Sequence, residues 1–235
     1  MKPEDLSREK LVEFVKDMFH RMSVHETLWF REVEHQLGFE KALQAMDIAW
    51  GKTQSICAKR LAEFMPLDID NMEKEQLLAL SDAIAKNWLA QDGVWFQAVE
   101  FAEGMNDAKR CNDSCWGRFS PFEAHSIKKL LDMDEHPGLE GLQTALNFRN
   151  YGRLNIQSSE IRDGVLTFSM NDCRVQSARI RKGLDDYPCK TAGLVEYKTF
   201  AREIDDRIQM ECVCCPPDEH PQDCFCRWKF TIQEK

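Results

Sequence analysis

Seven of the ten cysteines lie after residue 170, at positions 173, 189, 212, 214, 215, 224 and 226. Thiols gathered in this way can hold a metal as thiolates, act as redox or nucleophilic groups, or pack as small reduced side chains. Cys212-x-x-Cys215 has the knuckle spacing common in zinc sites, whereas Cys224-x-Cys226 is one residue tighter than a second knuckle. A tetrahedral shell is completed by Cys226 and by Cys189 or Cys173, so the candidate ligands are Cys189, Cys212, Cys215 and Cys226. Zinc is the first choice of metal and iron the alternative. Cys189 has a second reading: it follows Pro188 at an expected helix N-terminus and precedes Lys190, two features that favour a thiolate and make it the best nucleophile. Its base would have to be His220, in a Pro-flanked loop, or His125 or His136 from further upstream.

The elements that must position these groups follow from periodicity. Arg153 to Ser159 and Val165 to Met170 flank Arg162-Asp163-Gly164, a hairpin signal. Pro188 introduces a helix over Cys189 to Glu203. Strands over Arg207 to Cys214 and Cys224 to Gln233 enclose the turn-rich CPPDEHPQD. The symmetric register of this last hairpin sets Cys212 opposite Cys226 and Cys214 opposite Cys224, with paired Cβ atoms about 4.5–5.5 Å apart. Arg174, Arg179, Arg181 and Lys182 form the one basic cluster. Arg174 and Arg179 are its candidate contacts for a small carboxylate or phosphate, with a solvated charged face as the competing reading.

The first 150 residues read differently. Shifting the chain by 66 residues aligns 29–51 with 95–117 without a gap and gives nine identities in 23 positions, among them Trp29/Trp95, Gly38/Gly104 and Trp50/Trp116. Ordinary usage would give roughly one or two. Amphipathic helices precede each copy, so residues of about 6–66 and 72–132 form two related helical hairpins, the second expected to break near Ser120-Pro121. A connecting helix over Leu139 to Phe148 leads into region 151–235. The hairpins either stack within one chain or exchange between subunits of a homodimer. Glu32-Val-Glu-His35 resembles half of a di-metal bundle motif, but the second copy carries Ala98 and Phe101 there, which removes the facing half. Cys111 and Cys115 are i, i+4 neighbours and read as buried thiols. The expected class is α+β: a duplicated helical bundle followed by a small antiparallel sheet with one packed helix.

Composition narrows the partners. The net charge of -9 gives the wrong field for non-specific nucleic-acid binding. No apolar run approaches the ~20 residues of a membrane span, and the start, MKPEDLSREK, lacks a signal-peptide core, so a cytoplasmic protein is expected.

Several long motifs carry a resemblance: MNDCRVQSARIRKGL, YPCKTAGLVEYKTFAREID, C-x-x-CPPDEHP with C-x-W-K-F-T, NWLAQDGVWFQAVEF and NFRNYGRLN. Over roughly 73–235 the chain resembles an uncharacterised family of prokaryotic cytosolic proteins, with the first helical unit an added copy of the second. In layout the C-terminal region is also similar to the 4-vinyl reductase domain, which implies Cys212 and Cys226 as ligand-site cysteines. Its layout is likewise similar to the L-2-amino-thiazoline-4-carboxylate hydrolase family, which implies attack on an amidine-like carbon by Cys189 or Cys173. Three functions therefore compete: a zinc- and small-ligand-binding module, a cysteine-dependent hydrolase of a small cyclic or amide C–N bond, and a helical interaction scaffold.

Overall fold

Both repeats open with a long helix that stops at a glycine. In the computed structural model, which describes residues 1–181, 183 and 186–233, α1 (Arg8–Leu37) starts at Ser7, whose hydroxyl accepts from the Lys10 amide at 3.3 Å. The second long helix, α3 (Lys74–Glu103), starts with a reciprocal Glu73/Gln76 capping box. They end at Gly38 (φ 95°, ψ 161°) and Gly104 (φ 94°, ψ 166°), a backbone region essentially closed to side chains. The chain then reverses into α2 (Phe39–Leu61) and α4 (Met105–Leu130). Pro121 lies inside α4. The expected break at Ser120-Pro121 is therefore corrected: a proline removes one backbone donor, here the one that would reach Gly117, and the rest of the helix carries on around that loss.

Two compact units result, Lys2–Phe119 and Ser120–Lys235 with Met1. The division falls within α4, whereas the sequence reading set its boundary at 150. In the first unit Trp29 and Trp95 stack, with ring centroids 6.3 Å apart and planes 13° from parallel. Trp29 Nε1 donates to Asp92 at 2.9 Å. Around them gather Val33 and Val99, Ala42 and Ala108, Ala45 and Cys111, and Ala49 and Cys115, each pair related by the 66-residue shift. Two like hairpins have closed on one another within a single chain. Glu32 of the Glu-x-x-His motif is buried, but its carboxylate is taken by Arg31 and Arg118, both at 2.8 Å, while His35 is exposed. The Glu32 charge is met by these two cations.

The second unit is a four-stranded antiparallel sheet with helices. After α5 (Gly138–Phe148) come β1 (Ile156–Arg162) and β2 (Val165–Asp172), then α6 (Arg174–Ile180) and α7 (Lys190–Ile204), then β3 (Ile208–Cys214) and β4 (Cys226–Ile232). The sheet order is β1-β2-β4-β3. Asp163 and Gly164 close the first hairpin with φ of 50° and 75°, the two positive values that a twist-matched two-residue turn requires. β1 starts three residues later than expected because Asn150–Arg153 forms a 3-10 turn. A buried ion network ties helices together: Arg149 Nε bonds Glu123 at 2.9 Å, and its Nη1 lies 2.6 Å from Glu196 on α7. Its guanidinium also covers the Phe200 ring at 4.7 Å. Desolvation raises Glu196, with Arg149 pulling the other way. Among the described residues no helix is long and apolar enough to cross a membrane.

Two outcomes follow. Gly104→Ala is expected to cost about 1–3 kcal/mol for its forced conformation, whereas Gly51→Ala, a helical position with open space around it, stabilises by about 0.5–1 kcal/mol; urea melts of both variants measure this. Burial among Trp88, Trp116 and Phe119 pushes His25 down to about 3, against about 6.5 in an unfolded chain. Its neutral form is the native one, so its stability contribution is fully present above pH 6.5. That contribution is lost as pH falls towards 3, because the unfolded chain takes up a proton that the native state refuses. The urea midpoint of the parent protein should fall more between pH 7 and 5 than that of His25→Gln.

Candidate functional site

One end of the sheet collects four cysteines from four separate elements. Cys173 follows β2 and caps α6, Cys189 caps α7, Cys215 follows β3 and Cys226 begins β4. Cys189 Sγ lies 3.5 Å from Cys215 Sγ. Cys226 raises the Cys215 thiol, and Cys189 and Cys226 both raise that of Cys173.

The approach of α7 to the sheet is set by a small residue. A Cβ on Gly193 would sit 2.7 Å from Trp228 Cζ2 and 3.8 Å from Cys215 Sγ. Glycine one turn into α7 thus lets its N-terminus, and Cys189 with it, reach the strand end. Gln176 on α6 holds the same segment from the other side. Its amide donates to the Tyr187 carbonyl at 2.8 Å and to Cys189 Sγ at 3.5 Å, and its oxygen accepts from the Tyr187 amide at 2.8 Å. Lys190 N donates to the Pro216 carbonyl at 2.9 Å, and its Nζ pairs with Asp218 at 2.6 Å, which fixes the loop beyond Cys215.

These contacts divide the thiols electrostatically. Hydrogen bonding from Cys215 lowers Cys189, opposed by burial and aided by Gln176. Cys215 is raised by Cys189, by Cys226 and by burial. Burial pushes Cys173 up to about 12. One sulfur, that of Cys189 at a helix N-terminus, is therefore poised to ionise first, while Cys215 and Cys173 are held towards the thiol.

The register of β3 and β4 differs from the symmetric hairpin expected. A bulge lies between Cys212 and Cys214, so Cys212 pairs with Trp228 and Cys214 with Arg227, not with Cys226 and Cys224. The extra residue turns Cys214 to the other side of the sheet, where it hydrogen-bonds Cys224. Cys226 instead pairs with Met170 of β2. Of the four expected ligands Cys189 and Cys215 are in contact. Cys212 pairs with Trp228 and has Lys190, Asp218, Cys214 and Cys226 as electrostatic neighbours, and burial pushes its thiol up to about 11. Cys173 has Cys189 and Cys226 as its own.

The remaining candidates fall elsewhere. Arg174 is exposed on α6, and Arg179, five residues on, points about 140° away around the helix, so the two share no face. Lys182 of the same basic cluster lies outside the described residues. His220 rests on Asp186 (3.4 Å) and the Pro221 carbonyl (3.1 Å), His125 on Glu203 and His136 beside Asp205. Among the described residues none of them hydrogen-bonds Cys189. Among the described residues His136, Asp205 and Asp206 are the one group of three such ligands whose atoms lie mutually within 4.8 Å; no three of the cysteines do so. Asp205, however, already accepts from Arg207 Nε, Nη2 and N and from Gly138 N, which makes it a structural cap that joins α5 to β3. Sequence reasoning missed Gln176 and Gly193. Their signals, a glutamine three residues after Cys173 and a glycine four after Cys189, show only once the helices are known to meet.

The chain belongs to DUF6125, a family of unknown function whose model matches residues 4–72 and again 70–232. The double match accords with the internal duplication. No curated protein and no solved structure matches the chain.

In metal-free protein Cys189 should alkylate fastest at neutral pH, with its rate–pH midpoint below that of an ordinary thiol. Gln176→Ala, which removes a donor to the thiolate, should move that midpoint up. Iodoacetamide kinetics with peptide mapping check this, and a fast phase that survives Cys189→Ser would contradict it.

Proposed function

We propose that this DUF6125 member is a metal-binding module in which Cys173, Cys189, Cys215 and Cys226 form a closed thiolate centre, zinc by preference. The observation that carries the reading is the 3.5 Å approach of the Cys189 and Cys215 sulfurs at the sheet end where the elements carrying Cys226 and Cys173 also begin or end. A metal–sulfur bond of about 2.3 Å in a tetrahedron puts neighbouring sulfurs about 3.8 Å apart. The 3.5 Å between Cys189 and Cys215 is close to that edge and far from the ~2.05 Å of a disulfide. Among the described residues no three of these sulfurs lie mutually within 4.8 Å, so binding requires Cys226 and Cys173 to move towards the Cys189–Cys215 pair. Four protein ligands leave no open position, which favours a structural centre over a catalytic one. An all-sulfur tetrahedron also suits iron, so the metal is zinc or, failing that, iron.

A second reading is favoured by one observation, the lowered Cys189 thiol at the start of a 15-residue helix. In metal-free protein that group would be a nucleophile acting on an electrophilic carbon of a small substrate, as in a hydrolase of a C–N bond. Among the described residues no histidine hydrogen-bonds it, whereas the metal reading needs none.

Protein purified without added metal or chelator should hold about one equivalent of zinc or iron. Cys215→Ser should lose it, and chelation should lower the thermal midpoint of the parent. Cys212→Ser should keep the metal, since the bulge separates that residue from the cluster. Retention in Cys215→Ser together with loss in Cys212→Ser would overturn the ligand set. No metal with a single hyper-reactive thiol would move the assignment to cysteine chemistry.

A further inference from the structure

The duplicated hairpins are alike in their core and unlike on one outer face. In the second copy Trp116 is 2% exposed, enclosed by His25, Trp88 and Phe119. Its counterpart Trp50 is 58% exposed. With it along α2 run Phe39 at 57%, Leu43 at 37% and Met46 at 37%. Residues 39, 43, 46 and 50 fall within about 60° of one another on a helix and form a single stripe. It lies about a quarter turn from Ala42, Ala45 and Ala49, which face the core. The corresponding residues of α4 are Met105, Lys109, Asn112 and Trp116, so the repeat itself does not require an apolar stripe. Scattered apolar residues on a surface need no explanation, but four large ones in register do.

We propose that this stripe is the self-association surface of the protein, and that its occupant is α2 of a second copy, antiparallel across a twofold axis. The reading is independent of the thiol centre. One feature of the sequence selects a second copy. The spacing of the stripe, four, three and four residues, reads the same in both directions. A twofold axis between Gln44 and Ala45 therefore sets Phe39 against the partner's Trp50 and Leu43 against the partner's Met46, each contact made twice, as an isologous interface requires. On the flank away from the core this register sets Glu40 beside the partner's Asp47, so association is expected to tighten as salt screens that pair. The stripe is also held in place: Phe39 meets Phe30 of α1 edge to face at 6.2 Å. The four side chains expose on the order of 400 Å² of apolar surface, enough to form the centre of an interface of about 800 Å² per partner once the flanking polar residues join it.

Sedimentation equilibrium of the full chain under reducing conditions tests this. The expected mass is twice the 27.4 kDa of one chain. Met46→Glu and Leu43→Lys should each sediment as single chains with unchanged circular dichroism and thermal midpoint, because both residues are already solvent-exposed. Gln44→Glu, on the same helix but outside the stripe, should leave the dimer intact. Mixing Met46→Glu with Leu43→Lys should restore a dimer, since position 43 of one copy faces position 46 of the other. A parent protein that stays at single-chain mass, a dimer that survives both stripe substitutions, or a mixture that does not re-associate would overturn the proposal.

Discussion

Two sulfurs held 3.5 Å apart in a protein interior cannot both ionise unless a cation lies between them. This constraint governs the end of the sheet where Cys189 and Cys215 meet. Without a cation the pair resolves itself by sharing a proton: Cys189 leans towards the thiolate at the start of α7, and Cys215 keeps its hydrogen. With Cys226 and Cys173 within electrostatic reach, the unfavourable state is four anions crowded together. A divalent metal removes that repulsion and uses every lone pair that the thiols cannot otherwise satisfy.

Several contacts of the C-terminal unit bring Cys189 against Cys215. Gly193 lets α7 lie directly on Trp228, so its N-terminus arrives beside Cys215. Gln176 binds both the Tyr187 backbone and the Cys189 sulfur. Deeper in the same unit, Arg149 bridges Glu123 and Glu196 and holds α7 by a buried charge network. Removing one member of such a network strands the others, at a cost of about 3–5 kcal/mol. The bulge in β3 does the remaining sorting. It sends Cys214 to pair with Cys224 on the far side and leaves Cys215 with the cluster. Two thiol sets thus form from one short cysteine-rich segment.

The sequence revealed some of this and hid the rest, for identifiable reasons. The helical duplication was legible because rare residues, Trp29/Trp95 and Gly38/Gly104, recur at a fixed shift, and the structure uses them in matching roles. The hairpin at Asp163-Gly164 was legible because few residues accept positive φ. The nearness of Cys189 to Cys215 followed from placing a strand end and a helix start together. The pairing of Cys212 was misread because a bulge changes register by one residue, and nothing in Glu211-Cys-Val-Cys214 marks it. The continuity of α4 through Pro121 was hidden for a related reason: a proline lowers helix propensity locally, but tertiary packing decides whether the helix ends. Gln176 and Gly193 were invisible because their roles depend on neighbours more than ten residues away in sequence.

The claim that four thiolates from four elements share one ion is tested most directly by X-ray absorption at the metal edge of the purified protein. Four sulfur neighbours at about 2.3 Å, falling to three when Cys173 is replaced by serine and unchanged when Cys212 is, is the predicted result. A shell containing nitrogen or carboxylate oxygen in the parent protein, or one that loses a sulfur with Cys212→Ser and none with Cys173→Ser, would contradict it.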